Sequence, residues 1–115
     1  MNGGLSMGLD VNIKLQEPII CPHCKEVASY KLDEIIYENG REWYNFLEKI
    51  GYYVSYENRT QKNDWYGKDM VLSDEQIHEL KNFVELNNVY YKDKIYFLVL
   101  KAIDKKYRVA INAEW

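Results

Sequence analysis

The residues best equipped for chemistry are Cys21-Pro22-His23-Cys24. Two thiols separated by two residues, with a proline stiffening the turn, can converge on one metal ion, and the adjoining Lys25 favours their deprotonated form. A closed structural zinc site takes four nitrogen or sulfur ligands. These are the only two cysteines in 115 residues, and neither a second CxxC nor a spaced pair of histidines follows. The candidates for the missing positions are His23 within the turn, His78 far downstream, or the same cysteines of a second chain. The motif therefore reads either as a reduced, knuckle-like turn between two strands with no cofactor, or as part of a site for one structural zinc.

A CPHC pair also occurs at the active site of strongly oxidising thioredoxin-fold proteins, where the first cysteine opens a helix that depresses its pKa. The only prolines here are Pro18 and Pro22, so none downstream can pack beside the pair, and no βαβ pattern precedes it. The redox reading fails on both counts.

Other catalytic signatures are missing: there is no GxSxG, no HExxH and no glycine loop that would cradle phosphate. A general base would have to be His78 or a carboxylate. Asp33-Glu34 and Asp74-Glu75 both fall where helices are expected to start, and acidic residues there stabilise the helix dipole. His78 lies off the apolar stripe of its helix and reads as a solvated residue. A nucleophile made from Cys21 or Cys24 with His78 would need a fold that joins distant segments. A small enzyme is thus the minority reading, and no residue is assigned a catalytic role.

Binding has more behind it. From Tyr52 to Met70 periodicity fades, and Tyr52, Tyr53, Tyr56, Arg59, Trp65, Tyr66 and Lys68 mix with Asn and Ser. That blend of rigid aromatic area and adaptable hydrogen bonding suits recognition. Tyr and Trp pair an apolar body with a polar handle, so they serve a protein interface or a stacked base equally well. Core packing competes evenly with surface function for Trp65 and Tyr66.

The elements that must position these groups follow from periodicity. Leu9, Val11, Ile13 and Leu15 alternate with polar residues, which predicts a strand buried on one face and ended by Pro18. Val27 to Leu32 returns weakly as a second strand. Trp43, Phe46, Leu47 and Ile50 form one stripe of a helix from Gly40 to Gly51, with Asn39 as N-cap and Gly51 as the left-handed stop. Trp43 is expected in the core. Ser73 and Gln76 make a capping box for a helix that buries Ile77, Leu80, Phe83 and Val84 and ends at Asn87-Asn88. Ile95 to Ile103 fits a buried strand as well as a helix; the lysines at 101, 105 and 106 favour a helix C-terminus. Tyr107 to Trp115 alternates as a final strand. The predicted architecture is α+β: a small sheet pairing the N- and C-terminal strands, two to three helices on one face, and the CPHC turn projecting from an end.

Composition sets the outer bounds. A chain of this length buries one core without disulfides. Its charged fraction of 29% is ordinary for a soluble domain, and Ile95 to Leu100, the longest apolar run, is too short to span a bilayer. No secretory signal opens the chain, and a lone CxxC fits a reducing cytoplasm. A formal charge of -3 argues against non-specific nucleic-acid binding. Lysine outnumbers arginine twelve to three, and Asn, Ile and Tyr are plentiful, as an AT-rich genome would dictate. Asn2-Gly3-Gly4 can be encoded through a ribosome-binding sequence ahead of Met7, so Met7 is expected to be the natural start. Residues 1–8 are expected to be a disordered leader and 9–115 a single domain.

Four segments carry a resemblance: Met7-Gly8-Leu9-Asp10-Val11-Asn12-Ile13, Ile20-Cys21-Pro22-His23-Cys24, Asn63-Asp64-Trp65-Tyr66-Gly67-Lys68-Asp69-Met70 and Val109-Ala110-Ile111-Asn112-Ala113-Glu114-Trp115. Together they resemble small phage and prophage proteins of low-GC Gram-positive bacteria, a group without an established activity. The resemblance implies a mobile-element accessory protein acting in a bacterial host cell; Cys24-Lys25 departs from the Cys-Gly of complete zinc knuckles. The expected function is non-enzymatic binding of a host protein, as inhibitor or adaptor and with anti-defence work included. The alternative is sequestration of a nucleotide signal in an aromatic pocket that contains Arg59 or Lys68. No membrane partner is expected, and a homodimer would suit the incomplete metal site.

Overall fold

In a computed structural model, residues 9–54 and 65–115 are described. The expected leader and start site, together with Tyr56 and Arg59, lie outside them. The chain runs β1 (Asp10–Ile20), β2 (Val27–Glu38), α1 (Trp43–Lys49), β3 (Met70–Val71), α2 (Asp74–Leu86), α3 (Lys92–Lys105) and β4 (Arg108–Glu114). The four strands form one sheet in the order β2-β1-β4-β3, with each neighbouring pair antiparallel. The first and last long strands are therefore adjacent at its centre, and the class is α+β.

The alternation in β1 sets the register. Val11 sits opposite Ala113, Ile13 opposite Ile111 and Leu15 opposite Val109, so one face of the two strands is continuously apolar. Those six side chains are sealed from solvent, and Ile36 of β2 extends the layer beside Ile13. Ile77, Leu80, Phe83 and Val84 of α2 and Ile95, Leu98, Val99 and Ala102 of α3 complete the core. The stretch from 95 to 103 is helix. Its C-terminus turns at Lys106 in the left-handed conformation (φ 58°), with Tyr107 N–H donating to the carbonyl of Ala102 at 3.0 Å.

Both expected helix signals in the 70s and 80s hold. The Ser73 hydroxyl accepts from Gln76 N–H at 3.2 Å, and the Gln76 side chain accepts from Ser73 N–H at 2.9 Å. The α1 region is shorter than expected and starts differently. Residues 40–42 form a turn, Glu42 occupies the N-cap with no side-chain cap, and Asn39 does not cap the helix. Its end is as expected: Gly51 at φ 81° lets its N–H bond the Glu48 carbonyl (3.1 Å) and Tyr52 N–H bond that of Leu47 (2.9 Å). This paired closure terminates a helix and drives the following side chain inward.

Three expectations fail on the β1–β2 hairpin. Pro18 does not end β1; it lies within the strand opposite Tyr30. The pairing with β4 stops at Gln16 opposite Arg108, so beyond that point β1 is unpaired on one side, where a residue without an N–H is tolerated. β2 runs to Glu38, well past Leu32, and Asp33-Glu34 therefore lies in a strand and starts no helix. Asp33 instead takes an ion pair from Lys101 of α3 at 2.9 Å. Residues 17–31 leave the body as a two-stranded arm whose tip is the CPHC turn. The β1–β2 register slips twice, at the base of the arm and near its tip, leaving Asp33 and Ala28 as extra residues on β2.

Candidate functional site

The turn at the arm tip is tightly closed. Cys21 N–H donates to the Glu26 carbonyl at 2.8 Å, and Lys25 N–H donates to the Cys21 carbonyl at 2.9 Å. The closure requires Lys25 to adopt φ 65°, the left-handed region where glycine is the usual resident. Both cysteines are free thiols, with Cys24 exposed and Cys21 partly covered. The N–H groups of Cys24, then His23, point at the Cys21 sulfur and hold its pKa below the usual thiol value, as does the Cys24 side chain. Among the described residues no third His, Cys, Asp or Glu joins the pair in a group able to hold a metal. His78 is exposed on α2, at the edge of a cleft shared with Asp74, Ile103, Lys106 and Tyr107.

The expected aromatic surface divides between core and exterior. Tyr52 is fully buried. Its hydroxyl donates to the Lys68 carbonyl at 2.6 Å and accepts from Ala113 N–H at 2.8 Å, clamping the 65–69 turn to β4. Its burial and these bonds make it a structural residue. Tyr53 and Trp65 are half-buried and pack against the core. Tyr66 is 45% exposed and meets Trp115 edge-on, with ring centroids 4.9 Å apart; Tyr53 reaches the same indole at 5.0 Å. Lys68 is exposed beside them.

An open cleft of about 620 Å³ lies at the sheet end where β1 begins and β4 finishes. It is lined by Asp10, Asn12, Tyr37, Glu38, Asn39, Tyr90, Tyr91 and Glu114. Asp10 and Glu114 face each other across the β1–β4 ladder, both exposed, and Glu114 precedes Trp115. Tyr37 and Tyr90 are 62% and 77% exposed. At the back of the cleft, Glu38 projects from β2 onto the apolar face with 4% exposure. Its carboxylate accepts from the Trp43 indole N–H (3.2 Å) and from the backbone N–H groups of Tyr90 (3.3 Å) and Tyr91. Three carboxylates thus face one cleft. On the open face of the sheet, Asp69 is bound by Asn112 at 2.8 Å and Lys14 at 3.1 Å, Asn112 being the chief cause of its lowered pKa. Arg108 donates to Gln16 at 2.7 Å and stacks over Tyr30 at 3.6 Å.

Sequence reading did not pick out Asp10, Tyr37, Glu38, Tyr90, Tyr91, Glu114 or Trp115 as site residues. A signal existed for two of them: strands that alternate and pair at the chain ends bring Asp10 and Glu114 together. Glu38 gave none, because its burial depends on Trp43 and the turn before α3. Comparison with family models, with curated proteins and with solved structures gives no match.

Proposed function

We propose that this chain is a non-enzymatic accessory protein of a mobile element that binds a host protein in the bacterial cytoplasm, as inhibitor or adaptor. The contact surface is the sheet end formed by Tyr66, Trp115, Glu114, Asp10, Tyr37 and Tyr90, and the partner presents basic side chains. One observation supports this above the others: exposed tyrosines stand beside carboxylates in a cleft whose lining, among the described residues, includes no lysine or arginine. Lysine and arginine side chains are attracted both to such carboxylates and to aromatic faces. Tyr and Trp are also the residues that most often anchor protein interfaces. The same acidity repels phosphate, which counts against a nucleotide ligand there. No helix of the described residues is long and apolar enough to cross a membrane.

The test compares capture from a host lysate by the unchanged chain, by Asp10→Lys/Glu114→Lys and by Tyr66→Ala, with retained proteins and small molecules identified by mass spectrometry. We expect a protein partner that is released by salt and weakened at least tenfold by the charge reversal. Retention unaffected by either variant, or a nucleotide as the retained species, overturns the proposal.

A further inference from the structure

We propose that the arm tip is one half of a tetrathiolate zinc site, completed by Cys21 and Cys24 of a second copy of this chain. The turn carries two free thiols on one closed loop. Cys21 N–H donates to the Glu26 carbonyl at 2.8 Å, Lys25 N–H donates to the Cys21 carbonyl at 2.9 Å, and Lys25 is held left-handed at φ 65°.

Ligand count selects the occupant. Zinc takes four ligands, and the chain's only nitrogen and sulfur candidates are Cys21, Cys24, His23 and His78. His78 faces a different cleft, and no third ligand joins the cysteine pair among the described residues. A second copy related by a two-fold axis through the metal supplies an identical pair, giving four sulfurs in an isologous contact.

The arm itself fits that arrangement. Its tip stands about 13 Å beyond the end of the β4 ladder, four residues at the strand rise, so two tips can meet while the bodies stay apart. Directly beneath the tip, Ile19, Ile20 and Val27 are 40%, 49% and 47% exposed, an apolar collar that nothing among the described residues covers. A second arm would cover it. Charge also matches: zinc with four thiolates carries two negative charges, and each tip brings Lys25. Each thiol releases its proton to solvent as it binds, and no electron transfer is involved.

Side-by-side pairing of two β2 edges is the competing way to dimerise. The extra residues at Asp33 and Ala28 distort that edge where it is most exposed, a device that discourages strand addition.

The experiment uses the full chain stripped of metal and titrated with Zn2+, and with Co2+ as the spectroscopic probe. Mass is followed by analytical ultracentrifugation. We expect one metal per two chains, the absorption of tetrahedral thiolate-bound Co2+, and a monomer that becomes a dimer only when metal is present. Cys21→Ser/Cys24→Ser, changed at an exposed tip, should keep its circular dichroism and lose both metal and dimer. No metal binding, one metal per chain on a persistent monomer, or a dimer indifferent to metal or to the serine variant would each overturn the proposal.

Discussion

The hydroxyl of Tyr52 is held between two backbone groups in a place water does not reach. Replacing it by phenylalanine keeps the ring and strands the Ala113 N–H and the Lys68 carbonyl. A buried polar group left without its partner costs about 1–3 kcal/mol, and Tyr52→Phe should lower stability by that amount in a denaturant melt. The pH dependence gives an independent check. Burial raises the phenol's pKa above its ordinary 10.0, outweighing the opposing backbone hydrogen bonds to Ala113 and Lys68. A folded-state value above the unfolded one means that the fold favours the neutral phenol. Its contribution is therefore complete below pH 10 and is lost as pH rises through the folded value. Tyr52→Phe should be less steeply destabilised above pH 10 than the unchanged chain. Equal slopes would mean that the hydroxyl is not the group being titrated.

Glu38 acts between elements. It ties the end of β2 to α1 through Trp43, and to the start of α3 through the N–H groups of Tyr90 and Tyr91. Tyr91 is the N-cap of α3 and makes no side-chain cap of its own, so a carboxylate from another element satisfies that position. Glu38→Gln keeps the shape but turns one acceptor into a donor that faces N–H groups. It should cost about 2–3 kcal/mol by thermal or denaturant unfolding, since hydrogen bonds to a charged group are the stronger ones. A loss under about 0.5 kcal/mol would show that water replaces the carboxylate there. Elements whose pattern was local could be read in advance: the alternation of β1 and β4, the Ser73–Gln76 box, and Gly51 as a stop. β3 was not, because Met70–Val71 is two residues long and exists only by pairing with Ile111 and Ala110. Nor was the length of β2, whose exposed half has no buried face to impose alternation. The site suffered the same limit. Tyr52 looked like a recognition residue because its neighbours are polar, yet the closure at Gly51 drives it inward. The acidic cleft draws on residues from four stretches of the chain and has no local signature.

At the scale of the molecule, one strand belongs to two mechanical regimes. From Val11 to Leu15, β1 is paired on both sides and covered by helices; from Glu17 to Ile20 it has β2 alone and faces solvent. Both halves have ladder hydrogen bonds, so secondary structure by itself predicts equal protection of their amides. Burial predicts otherwise. Opening the arm exposes little apolar surface, whereas freeing Ile13 requires the core of β4, α2 and α3 to come apart. In hydrogen exchange, paired amides between Val11 and Leu15 and in β4 should exchange only through global unfolding. Amides of residues 17–31 should exchange orders of magnitude faster by local opening, and their rates should stay unchanged in Tyr52→Phe. Uniform protection along β1 would mean that the arm is part of the cooperative core. Zn2+ adds a second discriminator, because joining two tips would slow exchange in the arm at least tenfold while leaving the rates between Val11 and Leu15 where they were. The arm can then be ordered or released without any cost to the body that carries the cleft. That separation would let one short chain bear both proposed contacts, one at the arm tip and one at the opposite sheet end.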